Sequence, residues 1–86
     1  MKIKIHRNQW YRILDYYQNI INEKFLYQPL TPVTQHFIKL TLDNAVKNMK
    51  QQESNPAWHV PIHPKFNLQT QSVSIEAVDP DSIELI

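Results

Sequence analysis

Glycine and cysteine are both missing from this sequence of 86 residues. Average usage of about 7% would supply roughly six glycines in a chain of this length. Their absence removes glycine-rich phosphate loops, dinucleotide fingerprints and nucleophile elbows, each of which needs positive φ or a close backbone approach to a phosphate. Turns then fall to asparagine, aspartate and proline, and Gln28-Pro29, Asn55-Pro56 and Asp79-Pro80 punctuate the chain. Without cysteine there is no thiolate nucleophile, Cys-based zinc site or redox pair, which suits a reducing compartment. A cytoplasmic protein is expected. Long apolar runs are missing too. The opening Met1-Lys2-Ile3-Lys4-Ile5 interleaves charge with apolar residues, unlike a signal-peptide core or a membrane span, so no membrane association is expected.

A chain this short holds one core at most, and a single small domain over residues 1–86 is expected. Domains of this size bury only about 60–65% of their unfolded surface, so a second subunit or a partner is a natural source of further stability.

Alternation at Lys2-Ile3-Lys4-Ile5-His6 predicts a short strand with Ile3 and Ile5 on one face. Asn8 has the chemistry of a helix N-cap, and a helix is expected over about residues 8–27. Its apolar stripe of Trp10, Ile13, Leu14, Tyr17, Ile20, Ile21 and Phe25 is widened by Tyr11, Tyr16 and Tyr27 beyond half the circumference. Gln28-Pro29 ends it, and Thr31 as N-cap with Pro32 at the first helical position starts a second helix running to about residue 52. So short a link implies antiparallel neighbours. The second helix carries a long stripe of Ile38, Leu42, Ala45, Val46 and Met49, and a shorter one of Val33, Phe37 and Leu40 on another side. His36, Lys39, Asp43, Lys47 and Lys50 form its solvent sector.

Residues 54–65 are rich in proline and read as an extended, ordered loop around Trp58. Val73, Ile75 and Ala77 then alternate with polar residues as a half-buried strand does. Asp79-Pro80-Asp81-Ser82 has type I turn chemistry, with Ile83 and Leu85 expected on the returning strand. The expected fold is α+β: an antiparallel two-helix hairpin over about 8–52 with short β-strands at the N-terminus and C-terminus, in the order βααββ. The alternative leaves residues 66–86 as an arm that joins a sheet only in a complex.

Charge is segregated. Residues 1–65 carry all nine basic side chains and four acidic ones, whereas residues 66–86 carry four acidic and no basic ones. The two parts are expected to attract each other modestly.

Four constellations bear on function. His59 and His63 have a spacing that would place two metal ligands on one helix face, but Pro61 between them and Pro64 after them forbid that helix, and no metal site is expected. Trp58 stands among Pro56, Pro61, Pro64 and Phe66, either as a lid on the helices or as an anchor for a partner. Arg7, Arg12 and Lys50 could meet phosphates while aromatic residues of the first helix stack on bases, although Arg7, Arg12 and Lys24 point to different sides and the net charge is only +1. Catalysis lacks a motif: His36 and Asp43 lie about 10 Å apart along a helix axis, too far for a direct hydrogen bond.

The reading that remains is a small non-catalytic contact protein without a cofactor or a small-molecule substrate, acting as a subunit, adaptor, antitoxin-like or phage-type inhibitor, or as a homo-oligomer. Its candidate contact residues are Trp58, His59, His63, Phe66, Phe37 and Leu40. The alternative is a weak nucleic-acid-binding accessory protein using Arg7, Arg12 and Lys50.

Overall fold

A strand, two helices and three further strands follow one another: β1 (Ile3–Ile5), α1 (Arg7–Phe25), α2 (Pro32–Gln52), β2 (Ile62–Asn67), β3 (Ser72–Ala77) and β4 (Ile83–Leu85), with 3-10 turns at Pro56–His59 and Pro80–Ser82. This is a computed structural model that describes residues 2–52 and 55–86; the Ser54 end of the expected loop lies outside them. The fold is α+β, a helical hairpin with short strands at both ends of the chain.

The second helix begins as its sequence dictates. Thr31 Oγ1 accepts from the Thr34 amide at 3.2 Å, the Thr31 carbonyl accepts from Gln35 N–H at 2.9 Å, and Pro32 fills the first helical position, where an amide would have no partner. The first helix departs from expectation. Its N-cap is His6, without a side-chain cap hydrogen bond, and Asn8 sits inside the first turn. The start is fixed non-locally: the Arg7 amide, one of the four that the first turn leaves without an intrahelical partner, donates to the Ile86 carbonyl at 3.1 Å.

The missing glycines leave a visible trace. Among the described residues, the two with positive φ are Tyr27 (67°) and Gln71 (54°), rather than the asparagines and aspartates expected at turns. Such a conformation costs a non-glycine residue about 1 kcal/mol or more. Gln71 is held there by both ends of its amide: Oε1 accepts from the Leu30 amide at 2.7 Å and Nε2 donates to the Leu68 carbonyl at 2.8 Å. One side chain thus ties the tip of the β2–β3 hairpin to the link between the helices. Tyr27, by contrast, is 95% exposed.

Strand β2 is an addition to the expected order: residues 62–65 fall in the expected loop, and Phe66 and Asn67 just beyond it. It pairs antiparallel with β3, Ile62 opposite Ala77 and Asn67 opposite Ser72. Val78 N–H donates to the Pro61 carbonyl at 2.9 Å, which makes 61/78, 63/76, 65/74 and 67/72 the hydrogen-bonded pairs. Pro64 therefore falls in a non-hydrogen-bonded pair, where its missing amide would have pointed away from β3 and costs the ladder nothing. Strand β4 forms where expected, but it does not return beside β3. It runs parallel to β1, with Ile3 opposite Ile83, Lys4 opposite Glu84 and Ile5 opposite Leu85. Apolar faces apolar and base faces acid in that register, so the basic and acidic parts of the chain meet here, and again where Lys65 Nζ stands 3.8 Å from Glu76 Oε1.

The core lies between α1, α2 and the two strand pairs. Trp10, Ile13, Tyr17 and Ile21 of α1 meet Ile38 and Leu42 of α2, with Ile5, Leu30, Ala57, Val60, Ile75 and Ala77 closing the remaining sides. Each large side chain among them contributes about 1.5–3 kcal/mol by leaving water. Residues 66–86 pack onto α1 and α2 through both hairpin strands and are no detached arm.

Candidate functional site

The Trp58 segment is built locally. Asn55 Oδ1 accepts from the Ala57 amide and the Asn55 carbonyl accepts from Trp58 N–H, both at 3.0 Å, winding Pro56–His59 into one 3-10 turn. Buried Ala57 and Val60 pin the turn to the core. The Trp58 indole then meets Tyr16 and Tyr17 edge-on, at centroid distances of 5.6 and 5.8 Å, while the two tyrosines meet each other at 5.4 Å. Such T-shaped contacts add roughly 0.5–1.5 kcal/mol each beyond burial. Trp58 is half-buried, and its free side helps to line a groove of about 580 Å³ with Gln9, Arg12, Asp15, Tyr16 and Asn55.

Tyr17 lies beneath this cluster at 1% exposure, and its hydroxyl has no hydrogen-bond partner among the described residues. Burial, assisted by the neighbouring Tyr16, pushes its pKa up to about 12.

The other expected contact residues divide among three places. His59 is exposed at the end of the 3-10 turn. His63 and Phe66 on β2 share a cleft of about 380 Å³ with Lys39 and Asp43 of α2, where Lys39 Nζ stands 6.0 Å from the Phe66 ring centroid. Phe37 and Leu40 lie with Val33 on α2 at exposures of 52%, 45% and 64%. Spacings of four and three residues set these three along one side of the helix. Of the basic residues, Arg12 reaches the Trp58 groove, whereas Arg7 starts α1 and Lys50 lies exposed in the last turn of α2, neither of them lining that groove. Among the described residues, no three His, Asp or Glu side chains are grouped as metal ligands would be. No described helix is long and apolar enough to cross a membrane.

Two features escaped the sequence reading. Tyr16, whose spacing only widens the α1 stripe, is a partner of Trp58 and a groove wall. A second groove, of about 480 Å³, opens between β3 and β4, with Trp10 and Leu14 beneath and Ile75, Ala77, Ile83 and Leu85 along its sides. The alternation of both strands signals their apolar faces, but it carries no signal that β4 pairs elsewhere and leaves a gap. No known protein family, curated protein or solved structure matches this chain.

Proposed function

We infer that the chain is a small non-catalytic protein that works by contact with another protein surface, using the free side of α2. The observation carrying this reading is the exposure of Val33, Phe37 and Leu40 together over two helical turns. Three large apolar side chains on one helix side are what a helix contact needs, and water gains nothing from them. Stable association buries about 800 Å² per partner, more than three side chains supply, so the contact extends beyond the stripe. A second copy is the simplest occupant, because an isologous pairing about Phe37 would bring Val33 of each copy toward Leu40 of the other.

Light scattering at micromolar concentration is expected to report a dimer, and Phe37→Glu to dissociate it while the helical circular-dichroism signal persists. If the wild type is monomeric, a photo-crosslinking residue at position 37 is expected to capture a protein from the native host, with the crosslink lost on Val33→Glu. A monomer that captures nothing removes the reading.

One observation favours a second reading, nucleic-acid binding: Arg12 stands with Tyr16 and Trp58 around a single groove. Asp15 on the same groove and the dispersed Arg7 and Lys50 weigh against it. Micromolar affinity for single-stranded oligonucleotides surviving about 150 mM salt, with a salt slope that Arg12→Ala lowers by about one, would reverse the order.

A further inference from the structure

The groove between β3 and β4 has the form of a sheet with one strand left out. In the β2–β3 register the backbone groups of Ser72, Ser74 and Glu76 face β2, so the N–H and C=O groups of Val73, Ile75 and Ala77 point out of the free edge of β3. On the other side, Ile86 N–H donates to the Ile5 carbonyl at 3.0 Å and the Ile86 carbonyl accepts from Arg7. That places Glu84 and Ile86 toward β1 and leaves Ile83 C=O and both backbone groups of Leu85 pointing away from it. The groove is lined by β4 residues and by none of β1, so the unpaired edge of β4 is the one that faces β3. Among the described residues, none of these outward groups has a hydrogen-bond partner. Ile75 and Ala77 are nonetheless only 6% exposed each. Backbone groups so placed are usually paired.

The chemistry of the occupant follows from the two faces of the gap. Toward the helices the groove is apolar, with Trp10 and Leu14 as floor and Ile75, Ala77, Ile83 and Leu85 as walls. Toward solvent Glu76 of β3 lines it, with Lys65 of β2 3.8 Å away, and the exposed Glu84 of β4 and Asp79 and Asp81 of the joining turn add acidic side chains outside the lining itself. A strand with apolar side chains on one face and basic ones on the other matches both. The molecule already contains such a pairing, since β1, reading Lys2-Ile3-Lys4-Ile5, lies on the opposite edge of β4 with Lys4 against Glu84. The edges of a second copy fit poorly. Its β3 and β4 bring the same acidic side chains, and its β1 is held on its own β4 and joined to α1 through His6 alone. The other outer edge, β2, is partly blunted by Pro64.

We propose that this groove binds an extended segment of a partner protein, alternating apolar and basic residues, which adds as a strand between β3 and β4 and joins the two strand pairs into one sheet. This site is independent of the α2 stripe, and each can fail without the other.

The test uses the whole chain and a short synthetic peptide alternating lysine and isoleucine, with two control peptides: one alternating glutamate and isoleucine, and the lysine peptide N-methylated at alternate amides. Expected results are saturable binding of the lysine peptide, loss of binding on N-methylation, and no binding of the glutamate peptide. Amide exchange at Val73, Ile75, Ala77 and Leu85 should slow by about tenfold or more on addition of the peptide. The double variant Glu76→Lys, Glu84→Lys should weaken binding about tenfold, whereas Phe37→Glu should leave it unchanged. Absence of saturable binding overturns the proposal, as does equal binding of the glutamate or N-methylated peptide, or protection confined to α2. Slow exchange of the same four amides in the free protein, together with a dimer that Phe37→Glu does not dissociate, would give the groove to a second copy and equally overturn it.

Discussion

The two helices are nearly equal in length, at 19 and 21 residues, yet they stand in different surroundings. Helix α1 buries Trp10, Ile13, Tyr17 and Ile21, because α2, β3 and the Trp58 turn cover it from several sides. Helix α2 buries only Ile38 and Leu42, and its Val33, Phe37 and Leu40 face water. The stripe of Trp10, Ile13, Tyr17 and Ile21, rather than the tyrosines that widen it, marks α1 as the helix at the centre of the fold. Two separate stripes on α2 mark a helix with one side inside and one side outside. Excess apolar surface stays partly in water on both helices, as Tyr11 and Tyr16 at 53% and 43% exposure on α1 and as the Val33, Phe37 and Leu40 face on α2.

The largest effect should come from the interior of both helices. Ile13→Ala and Ile38→Ala, at 2% and 0% exposure, are each expected to destabilise by about 2–4 kcal/mol in denaturant titrations. Comparable losses would confirm that both helices share one core, and a mild result at Ile38 would mean that α2 is peripheral altogether. Next comes the covering turn. Trp58→Ala removes two edge-on aromatic contacts and part of a groove wall, and about 2 kcal/mol is expected, with partial rather than complete shielding of Trp58 from acrylamide. An unchanged melting temperature would detach the turn from the core. Smaller again is the free face of α2: Phe37→Ser should alter monomer stability by no more than about 0.5 kcal/mol. A loss on the scale of Ile38→Ala would show that this side is covered after all.

How far these surroundings could be read in advance depended on how local their causes are. The start of α2 is written in Thr31 and Pro32, because a cap and a fixed φ act within one turn, and its two stripes follow from spacing alone. The start of α1 is not, since the acceptor for its Arg7 amide is the carbonyl of Ile86 at the other end of the chain. Strand β2 carries the alternation Ile62, Pro64, Phe66, but proline argues against a ladder unless its missing amide points outward, and register decides that. The partner of β4 is a choice between β1 and β3 that the alternation of Ile83 and Leu85 leaves open, because either neighbour satisfies it, and only the register shows β1 as the partner. Among candidate sites, Phe37 and Leu40 were accessible from helical spacing. The Trp58–Tyr16 wall and the gap beside β3 were not, because both arise where segments distant in sequence meet.

Tyr17 gives the finest probe of the α1 interior. Its folded pKa of about 12 lies above the value near 10 for an unfolded tyrosine, so the folded chain holds the phenol proton more tightly. Stability from this group is therefore complete below about pH 10 and is lost as pH rises toward 12, where the folded phenol ionises too. Tyr17→Phe should abolish that alkaline limb. In the neutral range it also removes a buried hydroxyl without a partner, whose desolvation is uncompensated, so a gain of about 0.5–1 kcal/mol is expected rather than a loss. Thermal melts at about pH 8 and about pH 11, with tyrosinate absorbance followed in parallel, separate the two effects. The wild type should show one late-titrating tyrosine that the variant lacks, and the melting temperatures should diverge at the higher pH. A destabilised variant with the late titration unchanged would mean that the hydroxyl has a partner and that another tyrosine is the buried one, which would move the centre of the fold away from the Tyr16–Tyr17–Trp58 cluster.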